Sequence, residues 1–271
     1  MPVWSEQGRR YWKRLSGRDS LLRWFGWLLL VLLLVWSWHL ISERTIWVFV
    51  LDAPAQGADL IERMFPPRWD YMPQLWRPLW DTLNIATLGT MIAVLLGTPL
   101  AFLAARNTTP SVTLVRPVAL LIIVGSRSIN SLIWALLLVL IFGPGVLAGV
   151  IAIALRSIGF IGKLVYEAIE ESDRRPVEAI TATGASAAQL RLYAIVPQVL
   201  PAWVGTSVYR WDINIREATV LGLVGAGGIG VELMASVNTL AWGQVSLIFG
   251  LILLTVLFSE WVSARVRAAT I

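Results

Sequence analysis

A glycine-rich segment is the first feature of this sequence that could do chemistry. Residues 225–230 are Gly-Ala-Gly-Gly-Ile-Gly, which matches the G-x-G-x-x-G spacing of a dinucleotide-binding turn, and they follow an apolar run. That use requires a βαβ unit and an acidic residue about 20 positions later to hold the ribose. After Glu232 the next acidic residue is Glu260, inside an apolar stretch, and a P-loop lysine is missing. The segment is therefore not predicted to bind a nucleotide.

Charged and polar residues that interrupt apolar stretches are the second such feature. Arg127 and Asn130 lie between two apolar runs, Arg156 lies within a third, and Asp212, Arg216 and Glu217 follow a fourth. A guanidinium offers forked donors that suit a tetrahedral oxyanion. Arg127, Asn130, Arg216 and Glu217 are predicted to line a path for such an anion. The alternative is an internal ion pair of Arg216 or Arg127 with Glu217 or Asp212.

Residue counts exclude several kinds of site. The 271 residues contain no cysteine and one histidine, His39. A disulfide framework, a thiol nucleophile, a histidine zinc site and a histidine-dependent triad are therefore excluded or nearly so. We predict neither a metal site nor a catalytic centre.

The composition is that of an integral membrane protein. Hydrophobic residues make up 57% of the chain and charged residues 14%, with a mean hydropathy of +0.70. A soluble domain carries roughly 25% charged residues, so this chain lacks the charge to cover a water-facing surface. The net charge of +5 is expected to set membrane orientation rather than to bind nucleic acid.

Six apolar stretches are long enough, at about 20 residues each, to cross a bilayer as helices. The predicted spans are Trp24–Ile41, Thr82–Ala104, Leu114–Phe142, Val146–Val165, Ile195–Trp211 and Leu240–Val262. The first is interpreted as a retained span rather than a signal peptide, because its core is too long and no small-residue cleavage site follows. The whole of residues 24–271 is predicted to form one transmembrane domain.

Basic residues predict the orientation of these spans. The segment 1–23 is rich in arginine, and Arg265 and Arg267 follow the last span, so both termini are expected in the cytoplasm. Residues 42–81 then form an external loop, either an ordinary one or a helix lying along the membrane on its tryptophans. The segment 219–230 is predicted to be a gate or re-entrant element at the outer face, using Gly225, Gly227, Gly228 and Gly230; the alternative is close helix packing.

The longest internal loop, residues 166–195, does not have the composition of a flexible linker. Arg174-Arg175-Pro176 precedes Val177-Glu178-Ala179-Ile180, and Gly184 follows. Proline and an acidic residue favour the first turn of a helix, and glycine favours a break. We predict two short helices on the cytoplasmic face, with an alanine-rich side that another protein could contact.

This loop resembles the signature of bacterial ABC importer permeases: Glu-Ala-Ala, three residues, Gly, nine residues, then Ile-x-Leu-Pro. Glu178, Ala179, Gly184 and Pro197 fall at the matching positions, while Ile180, Ala194 and Val196 depart from it. Further stretches resemble the permeases of phosphonate-type importers and cover nearly everything after the first span. They include Phe65-Pro66-Pro67, Arg127-Ser128-Ile129-Asn130, the run 142–150 and Arg216-Glu217-Ala218-Thr219.

The resemblance implies an all-α protein with the type I ABC importer permease (MetI-like) fold. It also implies a second permease copy, identical or paralogous, two cytoplasmic ATPase subunits that bind ATP and magnesium, and a periplasmic binding protein. Residues Glu178–Pro197 would form the coupling helix seated on the ATPase; a merely structural loop is the alternative. The cargo would be a phosphonate or a related oxyanion such as phosphite or hypophosphite, with phosphate and other anions left open.

Two other function classes compete with this interpretation. A secondary transporter driven by an ion gradient would need paired intramembrane acids and commonly shows internal repeats, and neither is seen in the sequence. A membrane-embedded enzyme would need a catalytic constellation, which the residue counts above make still less favourable.

Overall fold

The computed structural model describes residues 3–6, 9–12 and 17–270. The chain divides into two units, Met1–Asp59 and Leu60–Ile271. Part of the predicted basic segment 1–23, including Lys13 and Arg14, therefore lies outside the described residues.

The first unit contains a short β-ribbon and a long apolar helix. Strands β1 (Val3–Glu6) and β2 (Arg9–Trp12) pair antiparallel. Helix α1 (Gly17–Arg44) has no buried residue and is apolar on all sides, as expected of a helix whose surroundings are lipid. Helix α2 (Trp47–Met64) begins in this unit, in the segment predicted to be either a loop or a helix along the membrane.

The second unit consists, in its described residues, of helices and the loops that connect them. A 3₁₀ turn at Trp69–Tyr71 leads into a long helix, and one π-helical turn at Arg191–Ile195 joins two others. The helices are α3 (Met72–Ala104), α4 (Val115–Ser128), α5 (Ser131–Phe142), α6 (Val146–Glu170), α7 (Arg174–Ala182), α8 (Ala187–Leu190), α9 (Val196–Gly222), α10 (Ile229–Asn238) and α11 (Trp242–Thr270).

Small residues allow the central helices α3 and α6 to approach closely. A Cβ built on Gly89 of α3 would lie 2.7 Å from Ile153 of α6, and one built on Gly97 would lie 3.1 Å from the Ile158 carbonyl oxygen. Glycine and alanine at helix contacts are typical of membrane proteins, where van der Waals packing replaces hydrophobic burial. The α3–α6 pair is therefore a rigid centre against which α9 packs.

Among the described residues, four helices are long and apolar enough to cross a membrane: α1, the turn plus α3, α6 and α11. Helices α4 and α5 pass the same test together but are bent by 87° at their junction, so the count rises to five if this pair is one span. The predicted span Leu114–Phe142, which is longer than one crossing needs, is therefore broken in the middle. The fifth predicted span, Ile195–Trp211, lies mostly in α9, which is not among these candidates, so the total of six stays a prediction.

Helix boundaries differ most from prediction where polar or proline residues suggested a loop. Helix α3 begins ten residues before the predicted Thr82, with Pro73 in its first turn, where a proline needs no amide hydrogen. Helix α9 continues past the predicted Trp211 to Gly222. It can do so because the charged side chains beyond Trp211 find partners on α6, on α11 or one turn away on α9 itself.

Candidate functional site

The loop predicted to contact another protein folds into two capped helices. The Asp173 carboxylate accepts a hydrogen bond from the Arg175 backbone amide at 3.0 Å and begins α7. The Arg175 guanidinium, whose Nη2 lies 2.6 Å from Asp173 Oδ2, lowers the pKa of this carboxyl through a side-chain hydrogen bond. Ser186 and Gln189 form a capping box at the start of α8. The prediction of two short helices is confirmed.

Gly184 separates the two helices because it adopts a backbone conformation that other residues avoid. Its φ is +78°, in the left-handed region where an L-residue brings Cβ against the following carbonyl. Its amide donates to the Thr181 carbonyl oxygen at 3.0 Å and closes the end of α7. A Cβ added at Gly184 would meet nothing within 4 Å, so the glycine serves the backbone and not packing.

One face of α7 packs against the transmembrane helices, and the other face is exposed. Val177 and Ile180 pack against a buried cluster that includes Val165 and Ile169 of α6. Gln198 of α9 accepts a hydrogen bond from the Asp173 backbone amide at 2.9 Å, which ties the start of α9 to the start of α7. The signature residues lie on the outside: Glu178, Ala179, Gly184 and Pro197 are all exposed.

The glycine segment 219–230 is tightly packed between three helices. The Gly145 amide donates to the Gly225 carbonyl at 3.0 Å, and the Ile229 amide donates to the Thr82 hydroxyl at 2.8 Å. A Cβ on Gly227 would lie 3.0 Å from the Val146 nitrogen, one on Gly228 would lie 2.6 Å from Thr82 Oγ1, and one on Gly230 would overlap the Thr219 carbonyl oxygen. These contacts are those of close packing, and the gate remains a prediction.

The dinucleotide pattern lies in a helical setting. Helix α9 precedes it, and the only strands within the described residues are β1 and β2, far from it in sequence. A βαβ unit is therefore not formed around residues 225–230 within the part of the chain that the structure describes.

A cluster of charged side chains lies where α5, α6 and α9 meet. Glu217 of α9 pairs with Arg156 of α6 and also with Arg210, whose Nη2 lies 3.1 Å from Glu217 Oε2. Arg210 Nε donates to Ser157 Oγ at 2.9 Å, and Arg156 Nη1 donates to Ser131 Oγ at 3.3 Å. Only 4% of the Arg210 side chain is exposed, against 31% for Arg156.

A second ion pair lies on the other side of α9. Arg216 pairs with Asp212 one turn away, and the Ser259 hydroxyl of α11 donates to the buried Asp212 carboxylate at 2.6 Å. The ion-pair alternative is therefore confirmed for Arg216 with Asp212. Glu217 pairs instead with arginines not considered as its partners from the sequence.

Arg127 and Asn130 lie apart from these ion pairs. Arg127 is exposed in the last turn of α4 and makes no ion pair or side-chain hydrogen bond within the described residues. The Asn130 side chain accepts from the Leu132 amide at 3.1 Å and caps α5 at the bend. Of the four predicted path residues, the structure therefore leaves one unpaired, makes one a helix cap and places two in separate ion pairs.

Arg210 is the residue that sequence reasoning missed. It lies one position before the predicted end of its span, where an arginine looks like a membrane-boundary residue. The signal that could have identified it is its spacing: Arg210 and Glu217 are seven residues apart, two turns on one face of a helix.

Comparison with known proteins decides the family. Residues 97–267 match the model of the family described as binding-protein-dependent transport system inner membrane component. The chain belongs to this family. Its membership confirms the predicted family and a transport role in the inner membrane, and it gives no support to an ion-gradient transporter.

Two relatives and one solved structure agree with this assignment. The chain is 39% identical to the phosphite transport system permease protein PtxC of Stutzerimonas stutzeri over 96% of this chain and 90% of that protein. It is 43% identical to the phosphate-import permease protein PhnE of Mycolicibacterium smegmatis over 81% of this chain but only 42% of that longer protein. The fold is similar to the inward-facing methionine ABC transporter MetNI, with a TM-score of 0.66 at 20% identity over 75% of this chain and 99% of that one.

Proposed function

We propose that this chain is the membrane subunit through which an ABC importer takes up a phosphonate or a related phosphorus oxyanion, such as phosphite or hypophosphite. The substrate class is supported by relatives named for phosphite and phosphate import. It is also consistent with arginine side chains inside the helical core, because guanidinium groups donate hydrogen bonds in a fork that fits oxyanions.

The partners proposed are a second permease copy, two cytoplasmic ATPase subunits and a periplasmic phosphonate- or phosphite-binding protein. The observation that supports an ATPase partner is the structure of the α7–α8 loop. It is held rigidly at its base, capped at both helices, and exposes Glu178, Ala179 and Gly184 on its outer face. A rigid loop of this kind can transmit a rigid-body movement of a bound partner to the helices on either side. ATP and magnesium would be bound by the ATPase and not by this chain.

The topology proposed has six spans, with α4 and α5 together forming one and α9 another. Both termini and the loop 166–195 then face the cytoplasm, and residues 42–81 and the segment 219–230 lie toward the outside. Basic residues at both ends favour this orientation. Arg127, Asn130, Arg216 and Glu217 would border the path, and Gly225, Gly227, Gly228 and Gly230 would form its outer gate.

The test is reconstitution of the complete transporter in proteoliposomes with its ATPase and binding protein. We expect uptake of phosphite or methylphosphonate that requires ATP and the binding protein and persists with a protonophore. Uptake that needs no ATP but collapses with the protonophore would overturn the proposal in favour of a secondary transporter.

Topology is tested independently by cysteine labelling. Because the chain contains no cysteine, Glu178→Cys gives a single label site. A membrane-impermeant maleimide should reach it only from the cytoplasmic side, while the control Ala58→Cys in the predicted external loop should react only from outside. Labelling of Glu178→Cys from outside would contradict the coupling role.

A further inference from the structure

The charges where α5, α6 and α9 meet do not balance. Two arginines, Arg156 and Arg210, share the single carboxylate of Glu217. The next acidic residue along α9, Asp212, is occupied by Arg216 and Ser259. The cluster therefore carries one excess positive charge. Inside a membrane protein such a charge is costly unless an anion or a water-filled path compensates it.

The two arginines differ in what they can still bind. Arg210 is enclosed: only 4% of its side chain is exposed, its Nε donates to Ser157 and its Nη2 to Glu217, and its guanidinium carbon lies 5.1 Å from the centre of the Phe160 ring. Arg156 uses only Nη1, toward Ser131 and Glu217. Among the described residues nothing accepts from its Nε or Nη2, and about a third of the side chain is exposed. The excess charge is thus available at the free donors of Arg156.

The partners in this cluster hold the Arg156 guanidinium in a fixed orientation. Glu217 is fixed by Arg210 on its other oxygen, and Arg210 is fixed by Ser157, which itself hydrogen-bonds Asn214. A side chain oriented by buried partners loses little freedom when it binds a ligand. Arg216, in contrast, has its own carboxylate one turn away, and Arg127 has no such support within the described helices.

We propose that the free donors of Arg156 are the contact point for the transported oxyanion, with Glu217 and Arg210 as positioning residues. The inference rests on the proposed function and deepens it, because it assigns the anion to one guanidinium at the α5–α6–α9 junction. Glu217 neutralises one arginine only, so an anion can bind and leave without being held by two unopposed charges. A weak, balanced site of this kind is what passage requires.

The test replaces Arg156 by glutamine in the complete transporter. The substitution leaves Arg210 and Glu217 as a balanced pair, so assembly and the thermal unfolding midpoint should be retained. The KM for phosphite or methylphosphonate uptake should rise, or the uptake rate fall, by about tenfold or more, the loss expected for charge-assisted hydrogen bonds. The matched control is Lys163→Gln, which removes a half-exposed cation on the same helix and should take up the anion like the wild type.

A second variant and a binding measurement keep the inference testable if Arg156→Gln does not assemble. Arg156→Lys keeps the charge but not the fork and should assemble with uptake reduced several-fold. Millimolar phosphite should raise the unfolding midpoint of the wild-type complex more than that of either variant, and chloride should not. Equal uptake in wild type and an assembled variant would overturn the site. If the wild type transports no phosphorus oxyanion, the proposed substrate fails, and the phosphite-dependent shift alone decides whether Arg156 binds anions.

Discussion

Replacing Gly184 by alanine isolates the contribution of one backbone angle to coupling. The residue has a φ of +78°, and an added Cβ would meet no atom within 4 Å. Steric overlap is therefore excluded, and the cost is that of placing an L-residue in the left-handed region, about 1–2 kcal/mol. If the α7–α8 loop relieves this strain by changing the angle between its helices, the docked arrangement becomes about fivefold to thirtyfold less populated.

The assay is ATP hydrolysis by the reconstituted transporter with and without the liganded binding protein. Stimulation should fall by about the factor given above in Gly184→Ala, while the complex still co-purifies with its ATPase and keeps its unfolding midpoint. Gly184→Asn should recover part of the loss, since asparagine tolerates this conformation. Gly205→Ala on α9, which also adds a carbon with no neighbour within 4 Å but has no positive φ, should behave like the wild type. Full stimulation in Gly184→Ala would refute the reasoning.

Three further predictions concern the gate, the path and the loop. Gly225→Ala adds a carbon 3.6 Å from Pro144, an ordinary contact distance, at a residue whose φ is +85°, so uptake should fall while assembly is retained. The control Gly250→Ala, which adds a carbon in open space, should leave uptake unchanged. Normal uptake in Gly225→Ala would exclude the gate. Arg127→Ala should lower uptake more than assembly, measured as transport per assembled complex; undiminished transport would remove Arg127 from the path. Asp173 has a lowered pKa, so its cap on α7 contributes above the ordinary aspartate pKa and is lost only as pH falls through the lowered value. The exchange rate of the α7 backbone amides, corrected for the intrinsic pH dependence of exchange, should therefore be constant from about pH 8 to pH 5 in the wild type. The same amides should exchange faster in Asp173→Ala, and equal rates in the two proteins would contradict the cap.

Local signals made the loop predictable. The break at Gly184 and the two short helices depend on residues within a few positions of one another, such as the Asp173 cap and the Ser186–Gln189 capping box. Capping and left-handed glycine are short-range effects. The sequence therefore contains nearly all the information needed for this part of the site.

Tertiary pairing made the charged residues unpredictable. Arg156 and Glu217 are 61 positions apart, and nothing in the pattern of either helix says that they meet. The angle of the bend between α4 and α5 could not be predicted either. A hydropathy average is little changed by the single residue Asn130, and it contains no information on the direction of a helix axis. The extension of α9 beyond Trp211 required knowing that its charges would be paired within the protein, which only packing decides.

The π-helical turn at Arg191–Ile195 has a mechanical consequence. It joins α8 to α9 without a gap, so hydrogen-bonded backbone runs through segments of 4, 5 and 27 residues and ends at Gly222. At about 1.5 Å per residue the helical path along these segments is roughly 50 Å long. A rotation that a partner imposes on the α7–α8 loop would therefore be transmitted through continuous helix, and not through a flexible linker, to the end of α9 beside the glycine segment.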